Sequence, residues 1–259
     1  MRKTWKTMLW RALQHVKKGF YIDMGAYFSD KDSVTKLFYE KAWCGVNVEP
    51  NSEYHTELTK KQPRDKSFRF VLSNKSGLTE INILNFAESN LSTGLSTLDR
   101  DLATKHVTAS YLMKTDRVES LTLAKLIKKY ITVSQEIHFL KINVEGLEKE
   151  VIESNNWRRY QPWVVLAESI SPTNYEENYL NWKYLLTSVD YHFVYEDQIN
   201  RFYISPNHPE LQAASRYRPN LFDEFIIYNY TADLLPQNQQ RCTLLKKAET
   251  EINALLTST

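Results

Sequence analysis

Glycine is scarce, with only 6 in 259 residues. No two of them stand in the G-x-G-x-x-G arrangement that lets a backbone close on a pyrophosphate, so a dinucleotide site of that kind is disfavoured. Cysteine is scarcer still. Cys44 and Cys242 are too few and too far apart for a disulfide framework or a thiolate metal cluster. No run approaches the roughly 18 apolar residues of a membrane span. Nor does a continuous apolar stretch near Met1 mark a secretory leader. A reducing, cytoplasmic setting is therefore expected. Excess charge is missing too. The formal net charge is +2, which leaves no general field for nucleic acid or another polyanion.

What is present is an ordinary globular composition, 42% hydrophobic and 25% charged, at a length that buries a sizeable core. Charge is concentrated at one place. Residues 1–18 hold Arg2, Lys3, Lys6, Arg11, Lys17 and Lys18 and no acid. Trp5, Leu9, Trp10, Leu13 and Val16 fall near helical spacing among them. Two readings stand: a basic amphipathic helix at the inner face of a membrane, or a helix that lays its apolar stripe on the domain.

Short apolar runs at 19–23, 45–49, 68–72, 139–143, 163–168, 191–195 and 201–205 read as strands. Several are continuous rather than alternating, as in a parallel sheet covered on both faces. Helical patterns at 33–41, 52–60, 121–130, 146–154 and 175–189 lie between them. Strands alternating with helices predict a doubly wound α/β domain. The link "EDQIN" is too short for a crossover, so the last two strands should form an antiparallel hairpin. From 77 to 117 the pattern is less regular, and "SNLSTGLSTLD" reads as a loop.

In open α/β sheets ligands sit beyond the carboxyl ends of the strands, near the switch point. Asp23, Glu49 and Asn143 fall at such ends, and Gly25 stands alone in the turn after Asp23. Carboxylates without a phosphate-cradling turn suit S-adenosylmethionine. It carries a sulfonium, an ammonium and a ribose diol but no phosphate, and Glu49 suits the diol. The alternative is that Asp23 caps a helix and Glu49 is a solvated strand end.

"GFYIDMGAY", "DSVT" and "GVNVEP", with "GLSTLD", "FLKINVEGLEKEV", "VVLAES" and "YHFVYEDQINRFYI" in that order, resemble the FkbM-type methyltransferases from about residue 19 to 225. The resemblance implies a class I methyltransferase (Rossmann-like) fold, S-adenosylmethionine as cofactor, and O-methylation of a glycan or sugar-nucleotide hydroxyl. Carried over, Asp23 and Gly25 lie by the methionine part, Glu49 by the ribose and Ser73 by the adenine, with Ser33 a further cofactor contact. Asn143, Glu145 and Glu168 line the floor below the methyl group. Candidate bases are Glu145, Glu168 and His106, and Ser96, Asn200 and Arg201 are candidate acceptor contacts. The family usually has Asp at the place of Asn143, and in related sugar O-methyltransferases that acid can help hold a divalent metal. Here Asn143 with Glu168 offers a neutral oxygen and one carboxylate, a weaker site for Mg²⁺.

The segments expected are therefore a helix over 1–18, a methyltransferase domain over 19–230 and a helical tail over 231–259. In the tail, Leu245, Ala248, Ile252 and Leu255 recur at heptad-like spacing. That stripe suits a homodimer or a fused glycosyltransferase. Two other functions stay open: O-methylation of a non-sugar metabolite, and a non-catalytic cofactor-binding module tethered to a glycosyltransferase.

Overall fold

The computed structural model describes residues 4–27, 33–86, 92–98, 100–106, 111–171, 176–219 and 223. The chain divides into a unit of Thr4–Arg218 and a second of Met1–Lys3 with Pro219–Thr259. The second falls almost wholly outside the described residues, and the expected tail helix lies there.

The first unit runs α1 (Thr4–Leu13), β1 (Phe20–Met24), α2 (Thr35–Glu40), β2 (Cys44–Val48), α3 (Ser52–Lys61), β3 (Lys66–Phe68), β4 (Phe70–Leu72), β5 (Gly77–Phe86) and β6 (Ser92–Thr97). It continues through α4 (Arg100–His106), β7 (Tyr111–Leu121), α5 (Leu123–Tyr130), β8 (Phe139–Ile142), α6 (Glu148–Glu153) and β9 (Val164–Glu168). A 3-10 turn at Tyr179–Asn181, α7 (Lys183–Thr187), β10 (His192–Glu196), β11 (Asn200–Ile204) and α8 (Leu211–Ser215) complete it.

Among the described residues the strands form a 7-stranded sheet, β10-β11-β9-β8-β1-β2-β3, and a 4-stranded sheet, β4-β7-β5-β6. In the larger sheet β3, β2, β1, β8 and β9 are parallel neighbours, and β11 is antiparallel to both β9 and β10. The mostly parallel sheet and its closing hairpin are as expected.

Alternation along these strands fills two cores. Phe20, Ile22, Val46, Leu140 and Val165 meet α5, α6 and α7 on one face. Tyr21, Phe139, Val164, Phe202 and Ile204 meet α1, α2 and α8 on the other. With both faces covered, every residue of β1, β8, β9 and β11 is buried, which is why those runs are continuous in sequence. The apolar residues Met8, Leu9, Ala12 and Leu13 of α1 belong to the second core. Among the described residues no helix is long and apolar enough to cross a membrane.

Four expectations need correction. The strand expected at 68–72 is two strands: β3 pairs with β2, and β4 pairs with β7 in the smaller sheet. The break falls at Arg69, whose guanidinium reaches Pro50 O at 3.2 Å and forms an ion pair with Asp116 of β7. The region read as irregular holds β5 and β7, paired antiparallel along 10 residues, and part of the expected loop is β6. The helix expected over 175–189 is interrupted: Trp182, at φ −137°, separates the 3-10 turn from α7. The helix expected from 146 begins at Glu148, because Glu145 (φ +52°) and Gly146 (φ +98°) are left-handed.

Candidate functional site

The chain goes outward from β1 to β2 and β3, then returns to β8 on the other side of β1. This reversal is the switch point where open sheets bind ligands. Backbone bonds draw the three strand ends together there. Gly25 and Ala26 donate to Val48 O at 3.0 and 3.3 Å, and Asn143 N–H donates to Met24 O at 3.2 Å. Gly25 has φ +68°, and a Cβ on it would lie 1.8 Å from Asn143 O. The lone glycine of the turn is thus required by both conformation and close approach.

Asp23 lies opposite Lys141 in the β1–β8 register. It is fully buried, and Lys141 Nζ donates to Asp23 Oδ1 at 2.7 Å and to Gly25 O at 2.8 Å. Burial pushes the Asp23 carboxyl up, and the Lys141 ammonium opposes it. The pair fixes the turn by holding both its ends.

Glu49 is 5% exposed, far from a solvated strand end. Its Oε2 accepts Tyr27 N–H at 2.9 Å and its Oε1 accepts Asn51 N–H at 2.9 Å. Asn51 in turn caps α3 through Glu53 N–H. One carboxylate therefore joins the turn after β1 to the start of α3. Burial pushes its pKa up to about 7, against the pull of the two N–H groups and Lys141. The nearby Asp23 carboxylate adds to the rise.

The remaining expected residues fall in different places. Ser33 is buried, and its Oγ accepts Lys36 N–H from the first turn of α2 at 3.2 Å. Ser73 follows β4, and its N–H donates to Leu121 O. Glu145 occupies the left-handed turn after β8. Glu168 ends β9, buried, and faces Asn200 in register. Asn200 is engaged in the hairpin turn, where its N–H and Nδ2 donate to Asp197 Oδ1 at 2.8 and 3.3 Å. Arg201 is wedged between the Tyr179 and Phe193 rings, 3.8 and 3.9 Å from their centroids, and pairs with Glu196. Ser96 lies in β6 and His106 ends α4, both with the smaller sheet.

Lys141 and Glu148 stand inside "FLKINVEGLEKEV", and neither was expected to have a role. The signal was there for Lys141: the one cation in β8 and the one acid in β1, both within apolar runs, are partners. Glu148 is 1% exposed, and its Oε1 accepts the N–H groups of Val144 and Gly146 at 3.1 and 3.3 Å. Both bonds brace the turn that Glu145 and Gly146 form.

Among the described residues no three His, Cys, Asp or Glu side chains cluster as a metal site would require. The fit to a phosphate-free, diol-bearing ligand is better. Asn143 Oδ1 is buried and makes no hydrogen bond, and each Glu49 oxygen holds one N–H with a lone pair to spare.

No curated protein and no solved structure matches the chain. The family model described as the methyltransferase FkbM domain matches residues 23–202, from Asp23 at the switch point to Phe202 in the closing hairpin. With most of its length covered, including all or part of every strand of the larger sheet, the chain belongs to the FkbM methyltransferase family.

Proposed function

We propose that the protein transfers a methyl group from S-adenosylmethionine to oxygen, with a sugar hydroxyl of a bacterial-type glycan or sugar nucleotide as acceptor. The observation that carries the reading is Glu49, a buried carboxylate clamped by two backbone N–H groups at the switch point. The sequence beside it has one glycine, Gly25, and lacks the G-x-G-x-x-G pattern of a pyrophosphate site. The mostly parallel sheet with its antiparallel hairpin supports a class I methyltransferase fold.

Glu49 would accept the ribose hydroxyls, and Asn143 Oδ1 would take a donor from the amino-acid part. Asp23 acts through Lys141, holding the turn at Gly25 in place. When bound, S-adenosylmethionine supplies a methyl group already activated on a sulfonium. The protein's share is then positioning and removal of the acceptor proton. Glu168, buried at the end of β9 beside β8, suits that base best. Glu145, on the turn after Asn143, is the second candidate. A carboxylate that takes the hydroxyl proton leaves the acceptor oxygen free to attack in line.

Calorimetry with S-adenosylmethionine, followed by transfer of a labelled methyl group to purified glycans and sugar nucleotides, tests the reading. Binding and transfer that survive chelator are expected. Absence of binding sinks the cofactor assignment. Binding with transfer only to non-sugar hydroxyls sinks the glycan assignment.

A further inference from the structure

The carboxylate of Glu148 has no part in the chemistry proposed above, yet it is almost completely buried. Turn chemistry explains its two bonds from Val144 and Gly146. It does not explain the third. Glu148 Oε2 accepts from Asn178 Nδ2 at 3.4 Å, 30 residues further along. Asn178 belongs to a short ribbon that follows β9, in which residues 169–171 run against 176–178. Asn178 N–H donates to Ser169 O at 2.9 Å and Ser171 N–H to Glu176 O at 2.7 Å, and Ile170 bridges Glu177. The Asn178 side chain is held on both sides: Nδ2 also reaches Ile170 O at 3.2 Å, and Oδ1 accepts Trp182 Nε1 at 3.4 Å. A serine or threonine could cap the turn without desolvating a charge. A buried carboxylate, whose pKa burial drives up, does more than cap. It reaches two loops at once.

We propose that Glu148 is a positioning residue that ties the turn over 143–147 to the ribbon after β9, so that ligand binding at the first is transmitted to the second. The inference rests on the methyltransferase reading of the cleft, since the turn carries Asn143 and Glu145 and the ribbon follows Glu168 directly. Binding of the methyl donor then orders the loop beside the proposed base, before the acceptor arrives.

Hydrogen exchange on the full chain, with and without saturating S-adenosylmethionine, tests this. In the wild type the cofactor should slow exchange of the Ser171 and Asn178 amides at least about threefold, as expected for transmitted ordering. Glu148→Gln keeps an oxygen for Val144 and Gly146 but turns an NH₂ towards Asn178, whose own oxygen is held by Trp182. It should bind the cofactor within about twofold of wild type by calorimetry yet lose the ribbon's response. Asn178→Ala, which cuts the tie from the other side, should lose it as well. A ribbon that slows equally in both variants overturns the tie while leaving the cleft reading intact. No heat of binding to the wild type overturns the cleft reading, and the transmission with it.

Discussion

The two halves of the cleft are built differently. On the β1–β2 side each carboxylate has a partner within the protein, Lys141 on Asp23 Oδ1 and the Tyr27 and Asn51 N–H groups on Glu49, and of their oxygens only Asp23 Oδ2 is buried without a hydrogen bond. On the β8 side Asn143 Oδ1 is buried with no hydrogen bond. A buried acceptor without a partner costs about 1–3 kcal/mol, and a ligand donor removes that cost. The first half is thus preorganised and carries stability. The second is completed by what binds.

The sharpest way to break this contrast is to unpair the first half. Lys141→Met leaves Asp23, 0% exposed, without its counter-charge. Removing one partner of a buried pair costs about 3–5 kcal/mol, readable as a lowered urea midpoint. Asp23→Asn combined with Lys141→Met should recover much of the loss. If the single variant is as stable as wild type, the pair does not hold the turn.

Glu49→Ala should act on binding next most strongly. A carboxylate accepting from a diol is worth about 1.5–3 kcal/mol, roughly ten- to 150-fold in affinity for S-adenosylmethionine. Unchanged calorimetric affinity in a folded variant would rule out the ribose placement.

Proton linkage follows from the same group. The folded Glu49 pKa, raised to about 7, means that the free protein holds a proton that the unfolded chain releases near the ordinary carboxylate value. Its contribution to stability is full below that value and is lost as pH rises through about 7. Cofactor binding has the opposite sign, because the diol donates to the anion. Affinity should rise by about tenfold from about pH 6 to about pH 8, and Glu49→Gln should flatten the rise. A wild-type slope no steeper than that of the variant would break the assignment.

The same contrast separates what sequence reveals from what it conceals. The larger sheet was legible because burial on both faces writes continuous apolar runs into "FYIDM", "FLKI" and "VVLAE". The hairpin was legible from its short link. The smaller sheet was not: Asn82 and Asn85 interrupt the pattern of β5, and "STGLST" has little strand propensity of its own. Pairing with β5 makes it a strand, through Asn82 opposite Thr97 and Ile83 opposite Ser96, a contact no local pattern records. In the site, strand-end acids marked the switch point. Glu148 stayed hidden because its distant partner, Asn178, is brought near only by the fold.

The smallest effect expected on the fold belongs to Asn143, and its smallness sharpens the comparison. Its backbone N–H is bonded to Met24 O, and alanine at 143 keeps that bond. Its side-chain oxygen has no partner to lose. Asn143→Ala therefore removes an unsatisfied acceptor together with a few contacts, and the two changes oppose each other. Stability should stay within about 0.5 kcal/mol of wild type. Cofactor affinity should fall by about 0.5–1.5 kcal/mol, the worth of one neutral hydrogen bond. Thermal unfolding and calorimetry on one preparation read both quantities. A variant that unfolds much earlier yet binds normally would make Asn143 part of the preorganised half and erase the distinction between the two sides of the cleft.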